Sequence, residues 1–328
     1  RGPAPYPPEW RWDLRVGATS GWPAVAVFAL ALVALAAVPA GGRGRASAVV
    51  AGAVAMAFAF QLALVGLEPA GAVRTLMDRA LSRTASSYLT VAASDAARDP
   101  ADFLDHHAAR GPETRGAKHA ATHPPGPVLF YRGLIGLFDA VPGAATSLLA
   151  AAGIDPEGGR RPTSVRAAAL AGPLIILFLC AATAWPLAAL GRAGGLDAPS
   201  AARVAALWGL VPGPALMAPH FDQMLAFPVT GAAALLAAAC DGKARVAVFA
   251  GLAAGIALQI SYGASAFLLL AGACAYALTG GYDRLGRFAG PLARAAAAAA
   301  VVIALPMAWG HEPVDAARSG LAIHREAY

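Results

Sequence analysis

The side chains able to take part in acid–base chemistry are concentrated in one long polar segment, residues 68–165. Its first half holds many carboxylates, which are Glu68, Asp78, Asp95, Asp99, Asp102, Asp105 and Glu113, and several histidines. Carboxylates and imidazoles are the groups that most often move protons in enzymes. A polar loop of this length between apolar segments is usually functional, so the segment is the first place to look for a site.

A rigid corner follows this polar stretch, at His123-Pro124-Pro125-Gly126. Each proline restricts the residue before it to extended conformations, so the corner holds His123 at a fixed place before the next apolar stretch, 128–138. His119 and His123 have the i, i+4 spacing of a zinc-binding pair. The two prolines interrupt the helix that such a pair needs, and no second motif accompanies it, so a metal pair is not favoured.

The composition of the whole chain is that of a membrane protein. Hydrophobic residues make up 58% of the 328 residues and charged residues only 13%, which excludes a secreted, fibrous or disordered chain. The net charge of +6 is explained by basic cytoplasmic turns, so nucleic acid is not an expected partner. Cys180, Cys240 and Cys274 all lie in apolar runs and read as small buried side chains.

Apolar runs predict eight candidate membrane spans in a single polytopic domain, residues 1–328. They lie near 22–40, 47–67, 166–190, 203–218, 224–240, 246–260, 263–279 and 291–309. Several are shorter than the ~20 residues of an upright span, and Pro212 and Pro214 predict a kinked or broken element in the fourth.

Basic residues mark alternate connections between these spans. Lys and Arg occur around 43–45, 192–203, 243–245 and 284–294, whereas the turns at 220–222 and 261–263 have none. The basic set is therefore expected to be cytoplasmic, and 68–165 to lie on the outer face. Since the chain would then start outside with Arg1, we expect it to be a fragment, preceded by another helix and continued after Tyr328.

The corner and its surroundings resemble a known family. His123-Pro124-Pro125-Gly126, preceded by an aromatic-containing helix at 86–92 and followed by a semi-apolar helix, is similar to the end of the first outer loop in GT-C glycosyltransferases. Relatives there are protein O-mannosyltransferases, aminoarabinose transferases and bacterial family 39 enzymes. The resemblance covers roughly residues 47–280.

This resemblance implies an all-α, GT-C-like helical bundle whose long outer loop consists of short interfacial helices. The implied activity is transfer of a hexosyl or pentosyl group from a polyprenyl-phosphate donor to a hydroxyl of a glycan, lipid or protein acceptor. The implied place is the non-cytoplasmic face of a bacterial inner (plasma) membrane. No cofactor is expected, although a divalent cation stays open as an alternative.

The catalytic acid of the relatives is not carried over, because they have Asp or Glu three or four residues before the loop tyrosine, where this chain has Ala85 and Thr84. Glu68, directly after a span, is the first candidate for the base, and Asp222, in a short outer turn, is the second. The residues expected to bind the substrate are Tyr88, Lys118, His119, His123 and Arg132, the last four chiefly by stabilising the donor phosphate.

Two other classes of protein remain open at this point. A transporter would place ionisable groups near the bilayer midplane, but the spans contain little polarity beyond Gln61 and Gln259. A non-catalytic membrane scaffold would not need the rigid corner. The arrangement of Glu68, Asp222 and His123 discriminates, since an enzyme needs such groups to converge in one outer cavity.

Overall fold

The computed structural model describes residues 21–36, 43–83, 86–109, 118–211, 213, 217–278 and 285–327. These residues are helical, with no strand among them, as the all-α prediction requires. The α-helices are α1 (Trp22–Ala36), α2 (Arg43–Val65), α3 (Gly71–Leu81), α4 (Tyr88–Ala92), α5 (Pro100–Asp105), α6 (Lys118–Thr122), α7 (Gly126–Ala140), α8 (Pro142–Ala151), α9 (Thr163–Ala182), α10 (Ala184–Ala193), α11 (Ala198–Leu207), α12 (Ala226–Cys240), α13 (Val246–Ile260), α14 (Ala264–Leu278), α15 (Leu285–Ala304) and α16 (Pro313–Ala327). Short 3₁₀ turns lie at Asp95–Ala97, Trp208–Leu210, Phe221–Leu225 and Leu305–Trp309.

Four helical stretches of the described chain are long and apolar enough to cross a membrane. They are Ala46–Val65, Thr163–Ala193, Phe221–Cys240 and Leu285–Trp309. Helices α13 and α14 are apolar but have 15 residues each, which span about 22 Å and fall short of the ~30 Å hydrocarbon layer. These helices indicate a helical membrane protein.

The expected span at 203–218 differs most from the structure. Helix α11 begins earlier, at Ala198, and ends at Leu207, where a 3₁₀ turn replaces it. In the sequence Pro212 comes five residues after Leu207, and proline cannot continue a helix because it lacks the N–H and clashes with the preceding turn. Pro212 and Pro214 themselves lie outside the described residues, so the kink or break expected at them stays a prediction.

The described residues of the polar segment, 68–83, 86–109 and 118–165, fold into helices and turns. Helices α7 and α8 meet at a bend of 104° at Val141 and together would be long enough for one broken or re-entrant span. Tyr88, Leu89 and Leu149 of this segment are almost fully buried in the largest core cluster, which also contains Ile176 of α9. The segment is therefore packed firmly onto the apolar helices.

Small residues allow helices α13 and α15 to pack closely against each other. Gly251 and Gly255 of α13, spaced as GxxxG, face α15, and a Cβ on Gly251 would overlap the Ala295 carbonyl oxygen. A Cβ on Gly255 would likewise overlap the Val302 side chain. Small residues let helix backbones approach in lipid, where the packing of side chains rather than water exclusion drives association.

The ends of the apolar helices fall into two groups. At one end, Ala193, Cys240, Tyr276 and Phe288 pack together, next in sequence to basic residues such as Arg192 and Lys243. At the other end, the corner at Gly126 touches the end of α13. Asp105 touches Gly310 at the same end. The basic turns and the polar segment therefore lie at opposite ends of the described helices.

Candidate functional site

The His-Pro-Pro-Gly corner is fixed by close packing. Pro124 and Pro125 are buried, and Pro125 precedes the first turn of α7. Gly126 abuts the end of α13, where a Cβ would overlap the backbone carbonyl of Gln259. The glycine of the motif is thus explained by this contact, because any other residue would push the two helices apart.

A strained serine positions the helix that carries the histidines. Ser87 has φ 58°, an uncommon value for a residue other than glycine, and its side chain is fully buried. The Ser87 hydroxyl accepts a hydrogen bond from the Ala120 N–H at 3.1 Å. This bond ties α6 to the start of α4 and so sets His119 and His123 beside Tyr88.

The tautomer of His123 follows from its backbone partner. Nδ1 lies 2.9 Å from the His119 carbonyl oxygen and donates to it, which leaves the Nε2 lone pair free to accept in the neutral ring. Burial lowers the pKa of His123, against the opposing influence of Asp222 and of the bond to His119. The ring is therefore mostly neutral at pH 7.

Asp222 joins this histidine from a distant part of the chain. Its Oδ1 lies 3.9 Å from His123 Nε2, and its Oδ2 lies 3.3 Å from His220 Nδ1. The His220 N–H donates to Gln223 Oε1 at 2.9 Å, which holds the turn in shape. The distance from Oδ1 to His123 exceeds hydrogen-bond length, so Oδ1 has no hydrogen bond to that imidazole.

We refer to His119, His123, His220 and Asp222 as the histidine–aspartate cluster. The His119 ring centroid lies 6.2 Å from that of His123 and 5.9 Å from that of His220. The side chain of Asp222 is 45% exposed whereas that of His123 is 19% exposed, so the carboxylate is open to an incoming molecule.

Tyr88 forms the buried wall of the cluster. Its ring packs edge-to-face on His123 at 5.7 Å and on Phe221 at 5.4 Å. Its hydroxyl is buried and has no hydrogen-bond partner in the described part of the chain. Burial, reinforced by the charge of Asp222, raises the Tyr88 pKa, so the phenol stays protonated and retains an unused donor.

Glu68 lies next to the cluster but does not touch it. Its Oε1 pairs with the Arg79 guanidinium at 2.9 Å, and Arg79 also donates to the Ala218 carbonyl of the turn that leads to His220. Asp222 also has a partner, because the hydrogen bond from the His220 side chain lowers the pKa of its carboxyl. Asp222 differs from Glu68 in lying beside His123, and which of the two is the base stays a prediction.

The two other expected phosphate ligands are not brought to the cluster by any described contact. Lys118 begins α6, but its side chain lies outside the described residues. Arg132 lies half-buried on α7 and makes no ion pair with a described residue. The aspartates at 95–105 serve locally, since Asp99 caps α5 and Asp102 and Asp105 flank His106.

The described residues contain no group of three or more His, Cys, Asp or Glu side chains arranged to hold a metal ion. The rings of His119 and His123 are inclined at 52° to each other, and His123 Nδ1 is already occupied by the His119 carbonyl. A metal-binding histidine commonly makes such a bond with its second ring nitrogen, so the divalent cation stays an open alternative.

Sequence reasoning missed the residues that hold the site in place. Ser87 and Arg79 act through contacts with Ala120 and Ala218, far away in sequence, and no local pattern marks either one. Phe221 was likewise not singled out, although it lies between Tyr88 and Tyr131. An aromatic residue directly before Asp222 was the one available signal.

Comparison with known proteins gives no relative from which to transfer a role. No protein-family model, no curated protein and no solved structure matches this chain.

Proposed function

We propose that this protein is a membrane glycosyltransferase that moves a sugar from a polyprenyl-phosphate donor to an acceptor hydroxyl at the non-cytoplasmic face. The observation that carries the proposal is the meeting of the His-Pro-Pro-Gly corner with Asp222, 3.9 Å from His123, at the helix ends opposite the basic turns. The resemblance of that corner to GT-C enzymes supports the reaction class.

Asp222 is the proposed base. The acceptor oxygen attacks the anomeric carbon, the bond from that carbon to the phosphate oxygen breaks, and the phosphate leaves with the electron pair. The acceptor proton passes to the Asp222 carboxylate, which an acceptor can reach from solvent because the side chain is 45% exposed. The neighbouring His220 keeps this carboxylate in one orientation.

His123 and Tyr88 are the proposed partners of the donor phosphate. A neutral His123 offers only a lone pair at Nε2, so it holds an anion only after gaining a proton, and a bound phosphate favours that protonation. The Tyr88 hydroxyl supplies a further donor. His119, Lys118 and Arg132 remain proposed contributors to the positive charge around the phosphate.

An apolar groove beside the corner fits the lipid part of such a donor. The groove has a volume of about 590 Å³ and is lined by Pro124 together with apolar side chains of α13, α15 and α16, among them Leu258, Ile303 and Leu321. Pro124 follows His123 in the chain, so we place the lipid in this groove with its phosphate toward the histidine–aspartate cluster.

The polar side chain in α2 supports an enzyme over a transporter. Gln61 is buried and donates to the carbonyl oxygens of Ala57 and Leu177, so it links α2 to α9 instead of lining a path. Transport sites usually need ionisable or unwound elements at this depth.

The test is a transfer assay with membranes containing the full chain and a panel of polyprenyl-phosphate sugars. We expect transfer from at least one donor and a ~10²- to 10⁴-fold loss in Asp222→Asn. Asp95→Asn, in a different part of the same polar segment, serves as the matched control and should retain activity. Transfer that is unaffected by Asp222→Asn would overturn the assignment of the site.

A further inference from the structure

A second polar cavity lies apart from the histidine–aspartate cluster. It has a volume of about 700 Å³, within the usual range for small-molecule sites, and lies between α3 and the turn at 152–158 that leads into α9. Its charged lining residues are Arg74, Asp78, Asp155 and Arg166. None of the cluster residues lines this cavity, which we call the Arg74–Arg166 cavity.

Arg166 is a buried cation without an acidic partner among the described residues. It is 8% exposed, and its guanidinium donates to the backbone carbonyls of Asp155 at 2.6 Å and Pro156 at 3.0 Å. A guanidinium has more N–H donors than these two carbonyls use. Because a buried charge is costly unless it is paired, Arg166 is suited to an anion that enters the cavity.

On the α3 side of the cavity, Arg74 contributes a positive charge and Asp78 a negative one. They are exposed and lie four residues apart on α3, a spacing at which ion pairs commonly form, yet the structure does not pair them. Asp155 lies across the cavity and uses Oδ1 to accept the Glu157 N–H at 3.0 Å. The cavity thus presents two cations and two anions.

We propose that the Arg74–Arg166 cavity binds a zwitterionic head group that carries a phosphate and a primary ammonium, as in phosphoethanolamine. The phosphate lies against Arg166 and Arg74, and the ammonium lies against Asp78 and Asp155. A purely anionic ligand would face repulsion from the two carboxylates, and a purely cationic one would face the buried guanidinium. The balanced lining therefore selects a ligand with both charges.

The position of the cavity favours a membrane phospholipid as the source of this head group. Helix α3 follows the end of α2 closely, and the turn at 152–158 precedes α9, so the cavity lies at the ends of two membrane-crossing stretches. A soluble phosphoethanolamine would carry the same chemistry. The site does not depend on sugar transfer, so it can be tested whether or not the proposed reaction occurs.

The experiment is calorimetric titration of the purified full chain in detergent with O-phosphoethanolamine, inorganic phosphate and ethanolamine. We expect phosphoethanolamine to bind about tenfold more tightly than either part alone, since each charged contact contributes on that scale. Arg74→Gln and Asp78→Asn should each weaken it about tenfold. Both residues are exposed, so these variants avoid the folding risk of replacing Arg166, and exposed Arg98→Gln is the control expected to bind normally.

Nanodiscs distinguish the two sources. If the protein is more stable in nanodiscs of phosphatidylethanolamine than in nanodiscs of phosphatidylglycerol, and Arg74→Gln abolishes this difference, the ligand of the cavity is a lipid. If the protein is equally stable in both lipids and soluble phosphoethanolamine binds tightly, the ligand of the cavity is a soluble molecule. If inorganic phosphate binds as tightly as phosphoethanolamine, the ligand does not need an ammonium group and the zwitterionic proposal is wrong. If none of the three compounds binds, the cavity is not a binding site and Arg166 only stabilises the turn at 155–156.

Discussion

The two candidate bases, Glu68 and Asp222, differ in the side chains that surround their carboxylates. Glu68 is held by Arg79 at 2.9 Å, whereas Asp222 faces two imidazoles, and the two carboxylate side chains are similarly exposed at 47% and 45%. We expect Asp222→Asn to lower the rate of transfer at saturating donor by ~10²- to 10⁴-fold. Glu68→Gln should keep a near-normal rate, since it removes an exposed ion pair worth about 1 kcal/mol or less.

Both variants should be compared with the parent chain for turnover and for thermal stability in detergent. Equal stability would show that a lost rate reflects chemistry rather than unfolding. An inactive Glu68→Gln beside an active Asp222→Asn would make Glu68 the base and contradict the proposed assignment of Asp222.

The charge of His123 links donor binding to pH. Burial lowers its pKa in the free protein, and only the protonated ring can donate from Nε2 to a phosphate. A donor phosphodiester keeps one negative charge throughout this range, so we expect its affinity to rise as the pH falls through the pKa of His123 in the complex, and to weaken above it. Titration of donor affinity between pH 5 and about 8 checks this slope, and His123→Gln should flatten it. A slope that persists in His123→Gln would assign the titration to another group.

The sequence identified part of this site at the scale of single residues. His123 was predictable because two prolines mark a rigid corner, and Asp222 because an acid in a short turn between apolar runs is unusual. Their contact was not predictable, since it depends on how α6 and the turn at Phe221–Leu225 pack. The pairing of Glu68 with Arg79, 11 positions later, was not predictable either, because it depends on how the turn after α2 places Glu68 against α3.

The first turn of α7 depends on Gly126. A Cβ there would overlap the Gln259 carbonyl oxygen, which belongs to backbone and cannot rotate away. We expect Gly126→Ala to destabilise the protein by about 1–3 kcal/mol and to lower transfer, because the shifted corner carries His123 with it. Gly133→Ala on the same helix meets open space and should be neutral or slightly stabilising. Thermal denaturation in detergent compares the two, and equal stability would show that the contact is not needed.

A buried pair of histidines joins α5 to the turn before α16. His107 and His311 pack edge-to-face at 5.3 Å, and neither ring nitrogen of His107 has a partner among the described residues. Burial lowers the pKa of His107 from 6.5 to about 4, so between these values the unfolded chain binds a proton that the folded chain does not. Stability therefore falls as the pH drops from 6.5 toward 4, by about 3 kcal/mol from this group.

We expect His107→Phe to remove most of that acid sensitivity and to be neutral or stabilising at pH 7.5, because an apolar ring leaves no buried nitrogen unpaired. Unfolding midpoints at pH 7.5 and 4.5 measure the effect. The exposed His106 provides the control, and His106→Gln should keep the full pH dependence. An unchanged acid sensitivity in His107→Phe would place its origin elsewhere.

The apolar runs at 166–190 and 224–240 fall within Thr163–Ala193 and Phe221–Cys240, two helical stretches that are long and apolar enough to cross a membrane. Apolar runs were less informative where a break or a bend matters. Helix α11 stops at Leu207 before the prolines, and the stretch at 128–138 became part of a pair bent by 104°. Hydropathy measures how apolar a run is, whereas its continuity depends on local backbone geometry and on tertiary contacts.

At the scale of the whole molecule, the positive-inside rule and the packing agree on two distinct ends. The helix ends next to Arg192 and Lys243 pack together, while the histidine–aspartate cluster and the groove at Pro124 lie where the polar segment covers the opposite ends. The distribution of Lys and Arg alone could not place the polar segment, because long segments such as 68–165 do not obey the positive-inside rule. If the basic turns are cytoplasmic, the cluster opens on the outer face.

Single cysteines test this orientation in intact cells, in a background in which Cys180, Cys240 and Cys274 are replaced by alanine. Arg98→Cys and Lys243→Cys occupy exposed positions in the polar segment and in a basic turn. A membrane-impermeant maleimide should label Arg98→Cys at once and Lys243→Cys only after permeabilisation, because the basic turn resists translocation. The denatured chains should label equally, which controls for reactivity. The opposite pattern would place the cluster in the cytoplasm, where a nucleotide-linked donor would be at hand and a lipid-linked one would lose its advantage.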